Sequence, residues 1–140
     1  MFIIHPGNIQ ELCFRKVYPD QLTYFKFIEC LNQDISLIGT YDHAKECTNR
    51  ALGVAGTTDI ANSVDDKYSM VDKCVNSPEG KGLLVHSVLR SVMYDVTKSC
   101  TIFINQRLRC VRDESWYDCN EGHSVEDFVK SIREAYEETQ

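Results

Sequence analysis

The chain has 140 residues, 43% of them hydrophobic and 26% charged, with a net charge of −6 and seven cysteines. That length suits one domain, 1–140, and the composition is that of a folded protein rather than a disordered one. The acidic balance leaves no phosphate-neutralising patch, so nucleic acid is not expected as a partner, and no apolar run reaches the ~20 residues that span a bilayer.

From the N-terminus, MFII is too short for the apolar part of a signal peptide and shows neither a positive start nor a cleavage site, so no targeting signal is visible. Asn8 with Glu11 has the form of a capping box, and Ile9, Leu12, Cys13 and Val17 recur at helical spacing until Tyr18-Pro19 breaks the pattern. Asp20 caps a second helix, whose Leu22, Phe25, Phe27, Ile28 and Leu31 form an apolar body expected in the core. Thr40 to Leu52 reads as a short helix closed by Gly53. Gly56, Thr57 and Thr58 make a turn, and Asp65 or Asp66 starts a helix through Met70, Val71 and Cys74, closed by NSPEG.

After Gly82, LLVHSVLRSVMYDVTK is the longest apolar-periodic segment; Leu84, Val85, Val88, Leu89, Val92, Met93 and Val96 predict a buried face and a core helix. The period then shortens: TIFIN and RLRCV predict two strands joined at Asn105-Gln106, followed by a polar loop carrying Trp116. Ser124 with Asp127 caps a last helix through Val129, Ile132 and Tyr136.

Seven cysteines point to a lumenal, extracellular or otherwise oxidising compartment, and the odd number predicts one thiol that is free or bonded to another chain. No two cysteines stand two residues apart, so the C-x-x-C redox motif is absent and thiol-disulfide catalysis is not the expected activity. Neither the cysteines nor His5, His43, His86 and His123 offer the closely spaced pairs that zinc requires, so no metal is expected. The glycines are dispersed, no phosphate loop exists, and no cofactor is expected. His86 reads as a satisfied side chain at the edge of the core, and Asp113-Glu114, Glu134, Glu137 and Glu138 as solvated faces. Cys110 and Cys119 flank a short loop and make the best local disulfide; Cys13, Cys30, Cys47 and Cys74 are further candidates with their pairing open.

Two sets of blocks go beyond composition. NIQELCFRKVYPDQLTYFKFIECLN, AKECTNRALGV and VDKCVNSPEGKGLL are followed by VTKSCTIFINQRL and VEDFVKSIREAYEET. In this order, from Asn8 to Thr139, they resemble the central lumenal region of plant-type vacuolar sorting receptors. The CVNSPEGKGL block is similar, more distantly, to the gamma-interferon-inducible lysosomal thiol reductases. The resemblance implies an α/β fold, α+β by content: a thioredoxin-like domain with a helical insertion. Its helical part would span 8–98, and its β-hairpin and terminal helix 100–139. The family's first strand and cysteine-bearing turn lie upstream of the block at Asn8, so the resemblance implies either a fold that lacks or borrows its first strand or a fragment whose missing part lies on a longer parent.

The resemblance places Cys100 at the position of the family's cis-proline, where extended substrates pair with the backbone. A cis bond before a non-proline residue costs about 3 kcal/mol, so Ser99–Cys100 is expected to be trans. Arg133 stands where the family has a cysteine, so one family disulfide is absent or rewired. The implied function is that of a non-catalytic, disulfide-stabilised module for protein recognition, with cargo binding in vesicular sorting as the family activity. The alternatives are a structural subunit of a larger assembly, with a neighbour supplying the missing strand, and a thiol-disulfide oxidoreductase using Cys100.

Overall fold

The computed structural model describes residues 6–53 and 67–139. It is a mixture of helix and antiparallel sheet. In chain order come α1 (Pro6–Val17), α2 (Gln21–Leu31), a 3-10 turn (Ile35–Leu37), α3 (Tyr41–Ala51), α4 (Ser69–Val75) and α5 (Pro78–Met93). They are followed by β1 (Thr101–Ile104), β2 (Arg107–Asp113), β3 (Ser115–Tyr117) and α6 (Val125–Glu137). Contacts divide the chain into two compact units, Met1–Val88 and Leu89–Gln140, and α5 contributes residues to both.

The first unit is helical. Pro6 opens α1, where its fixed φ suits the first turn and its missing N–H is not needed. Asn8 therefore lies inside the helix, and the capping box expected there does not form. Asp20 does cap α2: its carboxylate accepts from the Thr23 backbone N–H and hydroxyl, both at 2.8 Å. Thr40 precedes α3, and Gly53 ends it with φ of +71°, a conformation open to glycine. The turn expected at Gly56 to Thr58 and the helix start at Asp65 or Asp66 lie outside the described residues.

The core of this unit is built on two aromatic rings, Phe14 of α1 and Phe27 of α2, both fully buried and stacked at 3.9 Å between centroids. Leu31, Ala44, Val71 and Tyr68 complete it. Two disulfides cross it: Cys13–Cys74 ties α1 to α4, and Cys30–Cys47 ties α2 to α3. The NSPEG segment does not end a helix with a loop; Asn76 caps α4 and Pro78 starts α5 at once, so Gly80 and Gly82 are helical. Gly80 is buried against the first disulfide. A Cβ there would collide with the Cys74 carbonyl oxygen and lie 3.2 Å from the Cys13 Sγ.

Two expectations about burial are corrected. On α2, Phe27 and Leu31 are buried but Leu22 and Phe25 face solvent, because only one side of the helix meets α1 and α3. On α5, Leu84 is buried while Val85, Leu89, Val92 and Met93 are exposed. Periodicity states that one face of a helix is apolar, not that the chain covers it.

The second unit holds a three-stranded antiparallel sheet in the order β1-β2-β3, with α6 against it. Asn105 and Gln106 both have positive φ, 47° and 64°, the two-residue turn whose twist matches the flanking strands. Trp116, expected in a loop, lies in β3 opposite Arg112. The Ser124–Asp127 capping box forms in both directions: Asp127 N–H donates to the Ser124 hydroxyl at 3.2 Å, and Ser124 N–H to the Asp127 carboxylate at 2.9 Å.

Gly80 and Gly82 supply a paired test. Gly80→Ala is expected to destabilise the protein by about 1–3 kcal/mol in chemical denaturation, since backbone of α4 must move to admit the methyl group. Gly82, with open space around it, should respond in the opposite sense, gaining about 0.5–1 kcal/mol on substitution by alanine.

Candidate functional site

The seven cysteines divide into three disulfides and one exposed thiol, Cys100. Cys110–Cys119 closes the segment from β2 through β3, with Cys110 fully buried. In the chain-entropy account, closed loops of 61, 17 and 9 residues correspond to about 4, 3 and 2.5 kcal/mol of constraint on the unfolded chain. Three disulfides fit an oxidising, extracytoplasmic compartment. No helix among the described residues is long and apolar enough to cross a membrane.

Cys100 stands immediately before β1 with φ of +55°, in the left-handed region. Its carbonyl oxygen accepts the Arg112 backbone N–H at 3.0 Å, so it continues the β1–β2 ladder although its own backbone has left the strand conformation. Proline, held near −65°, cannot take this φ. No cis peptide bond occurs among the described residues.

β2 and β3 carry exposed pairs of cations and rings on the two faces of the sheet. The Arg112 guanidinium lies 5.7 Å from the Trp116 ring centroid, and the His123 ring stacks on the same tryptophan at 5.1 Å with the planes 1° apart. Lys98 sits 4.3 Å from the Tyr117 centroid and 3.2 Å from the Asp113 carboxylate. Such pairs hold each ring in place on its own face of the sheet. His86 is exposed rather than at the core edge, and His43 in the first unit lies 3.2 Å from the Leu31 carbonyl oxygen. Among the described residues no cluster of histidine, cysteine and carboxylate side chains could hold a metal ion.

The most connected polar group of the second unit is one the sequence did not single out. β1 and β2 pair Ile102 with Cys110 but Phe103 with Leu108, so Arg109 is the extra residue of a β-bulge. The bulge turns its side chain inward. Arg109 is buried and donates to the Ser131 hydroxyl at 2.7 Å, the Gly122 carbonyl at 3.0 Å and the Glu121 carbonyl at 3.3 Å. The Glu121 carboxylate pairs with it at 3.3 Å, and the guanidinium lies 4.7 Å from the Phe128 ring centroid. Strict alternation along RLRCV would have sent Arg109 and Leu108 to opposite faces with the leucine inward; the bulge leaves Leu108 exposed instead. Gly122, with φ of +83°, brings its carbonyl to Arg109 and leaves no room for a Cβ beside the Asp127 carboxylate.

The Ser124 backbone and hydroxyl hydrogen bonds hold the Asp127 carboxyl below the usual carboxylate range, aided by the positive charges of Arg109 and His123. The arrangement fixes the loop before α6 to the sheet. Compared with known proteins, the chain matches no family model, no curated protein and no solved structure.

Two outcomes follow from this cluster. Arg109→Met strips the donors from Ser131 and two carbonyls and should lower stability by about 2–3 kcal/mol in chemical denaturation. The Asp127 contribution, from a carboxyl whose folded pKa is depressed, is fully present above its ordinary range near 4 and is lost as pH falls through the lower folded value. Far-ultraviolet dichroism during acid titration should therefore show a low-pH loss of helix that is smaller in Asp127→Asn, the remainder coming from caps such as Asp20 of α2, whose carboxyl is depressed in the same way.

Proposed function

We propose that the chain is a non-catalytic recognition module of a lumenal or extracellular protein and that its partner is a polypeptide. The observation that carries this reading is the division of cysteines: six are closed in disulfides, which leaves Cys100 with no second thiol for an exchange cycle. The exposed apolar side chains of α2 and β3, Leu22, Phe25, Trp116 and Tyr117, supply contact surface on a covalently braced frame.

The order of sequence blocks supports a thioredoxin-like origin and, through the vacuolar sorting receptors, cargo binding during sorting. On that reading the left-handed Cys100 replaces the backbone edge that a cis-proline presents, and recognition falls to other surfaces. The open edge of β1 favours a second reading, in which the chain is a subunit of a larger assembly and a neighbour's strand pairs there.

The first test is catalytic. Reduction of insulin in a glutathione buffer should proceed at the uncatalysed rate with the wild-type chain and with Cys100→Ser alike; a rate enhancement abolished by Cys100→Ser would sink the proposal. The second is recognition. A photo-crosslinker at Phe25 should capture a discrete lumenal polypeptide, with competition by unlabelled chain and loss in Leu22→Ser. A partner retained only through β1 in an inseparable complex would select the subunit reading instead.

A further inference from the structure

Helix α6 turns Phe128 and two small side chains toward its own sheet and its aliphatic ones to solvent. Phe128, Ser131 and Ala135 face inward, with Ser131 buried under Arg109. Val125, Val129, Ile132 and Tyr136 are 74%, 40%, 56% and 66% exposed. These four recur in steps of four, three and four residues, the spacing of a coiled-coil seam. A shallow groove lies beside the seam on its charged flank, where Glu126, Lys130, Arg133 and Glu137 stand next to Val125 and Val129.

We propose that this seam pairs with the α6 of a second copy of the chain, in antiparallel orientation. A two-fold axis between Val129 and Ile132 sets Val129 of each copy against Ile132 of the other. It also sets Val125 against Tyr136, so that every member of the seam meets an apolar partner. The charges decide the direction. Glu126 and Arg133 lie seven residues apart on one flank of the seam, and neither is engaged by another side chain among the described residues. The antiparallel two-fold brings Glu126 of each copy to Arg133 of the other, giving two opposite-charge pairs; in a parallel pairing the two copies of this flank lie on opposite sides of the seam, and Glu126 and Arg133 never meet. This self-complementarity, present in the one helix, is what singles out a second copy as the occupant.

Four side chains per copy bury less than the roughly 1,200 Å² of a standard interface, so the dimer is weak and dissociates on dilution. The self-association goes beyond the recognition role and does not depend on it.

Sedimentation equilibrium of the full chain over a concentration series tests the pairing, with circular dichroism confirming that each variant is folded. The expected result is a monomer–dimer equilibrium in the micromolar range, weakened at least about tenfold by Ile132→Glu. Glu126→Arg or Arg133→Glu alone should weaken it several-fold, and the two together should restore it. A chain that stays monomeric throughout the series overturns the proposal. So does a dimer indifferent to Ile132→Glu, which would place the contact on another surface such as α5. A double charge variant weaker than either single one would overturn the antiparallel pairing.

Discussion

The Cys13–Cys74 disulfide is the constraint on which the first unit depends. It joins α1 to α4 across 61 residues of sequence and lies fully inside the core, so both helices must approach at one fixed point. That approach leaves no space for a side chain on the next helix, and Gly80 of α5 meets the demand. The stacked Phe14 and Phe27 rings and the second disulfide, Cys30–Cys47, then bring α2 and α3 to the same centre. Such a core is small for its length of chain, and covalent cross-links offset what a larger apolar core would otherwise contribute.

In the second unit the corresponding constraint is a single bulged residue. Arg109 is removed from water without penalty from unpaired donors, because the Gly122 and Glu121 carbonyls, Ser131 and the Glu121 carboxylate converge on it. This polar centre explains why α6 presents serine to the sheet. The guanidinium takes an acceptor from Ser131 and the flat face of Phe128 from this helix, and its exposed aliphatic residues stand on the other side.

What the sequence made legible was local chemistry. Ser124 and Asp127 read as a capping box because both halves are encoded three residues apart, and Asn105-Gln106 as a tight turn because the strand pattern stops on either side. What it concealed was anything set by a second element. The bulge at Arg109 is a slip in register between β1 and β2, invisible in either strand alone. β3 is three residues long and follows a tight turn at Glu114, whose φ is +56°, so its polar surroundings gave it the look of a loop. Along α2 and α5 the pattern correctly marked apolar faces and was silent on whether this chain covers them, which is why Phe25 and Leu89 were expected inside and stand outside.

Cys100 shows how position and chemistry separate. Its place before β1 is defined by the ladder bond to Arg112, but a left-handed backbone closes it to proline and takes it out of the extended conformation that a passing peptide would pair with. Within this chain no second thiol is free to resolve a mixed disulfide formed at Cys100, because the other six sulfurs are bonded to one another. Among the protein's exposed side chains are rings and aliphatic groups standing on helices and a short strand that disulfides and a buried guanidinium brace. Rigid apolar contacts lose little conformational entropy on association, which is the physical basis for reading this chain as a binder of other polypeptides.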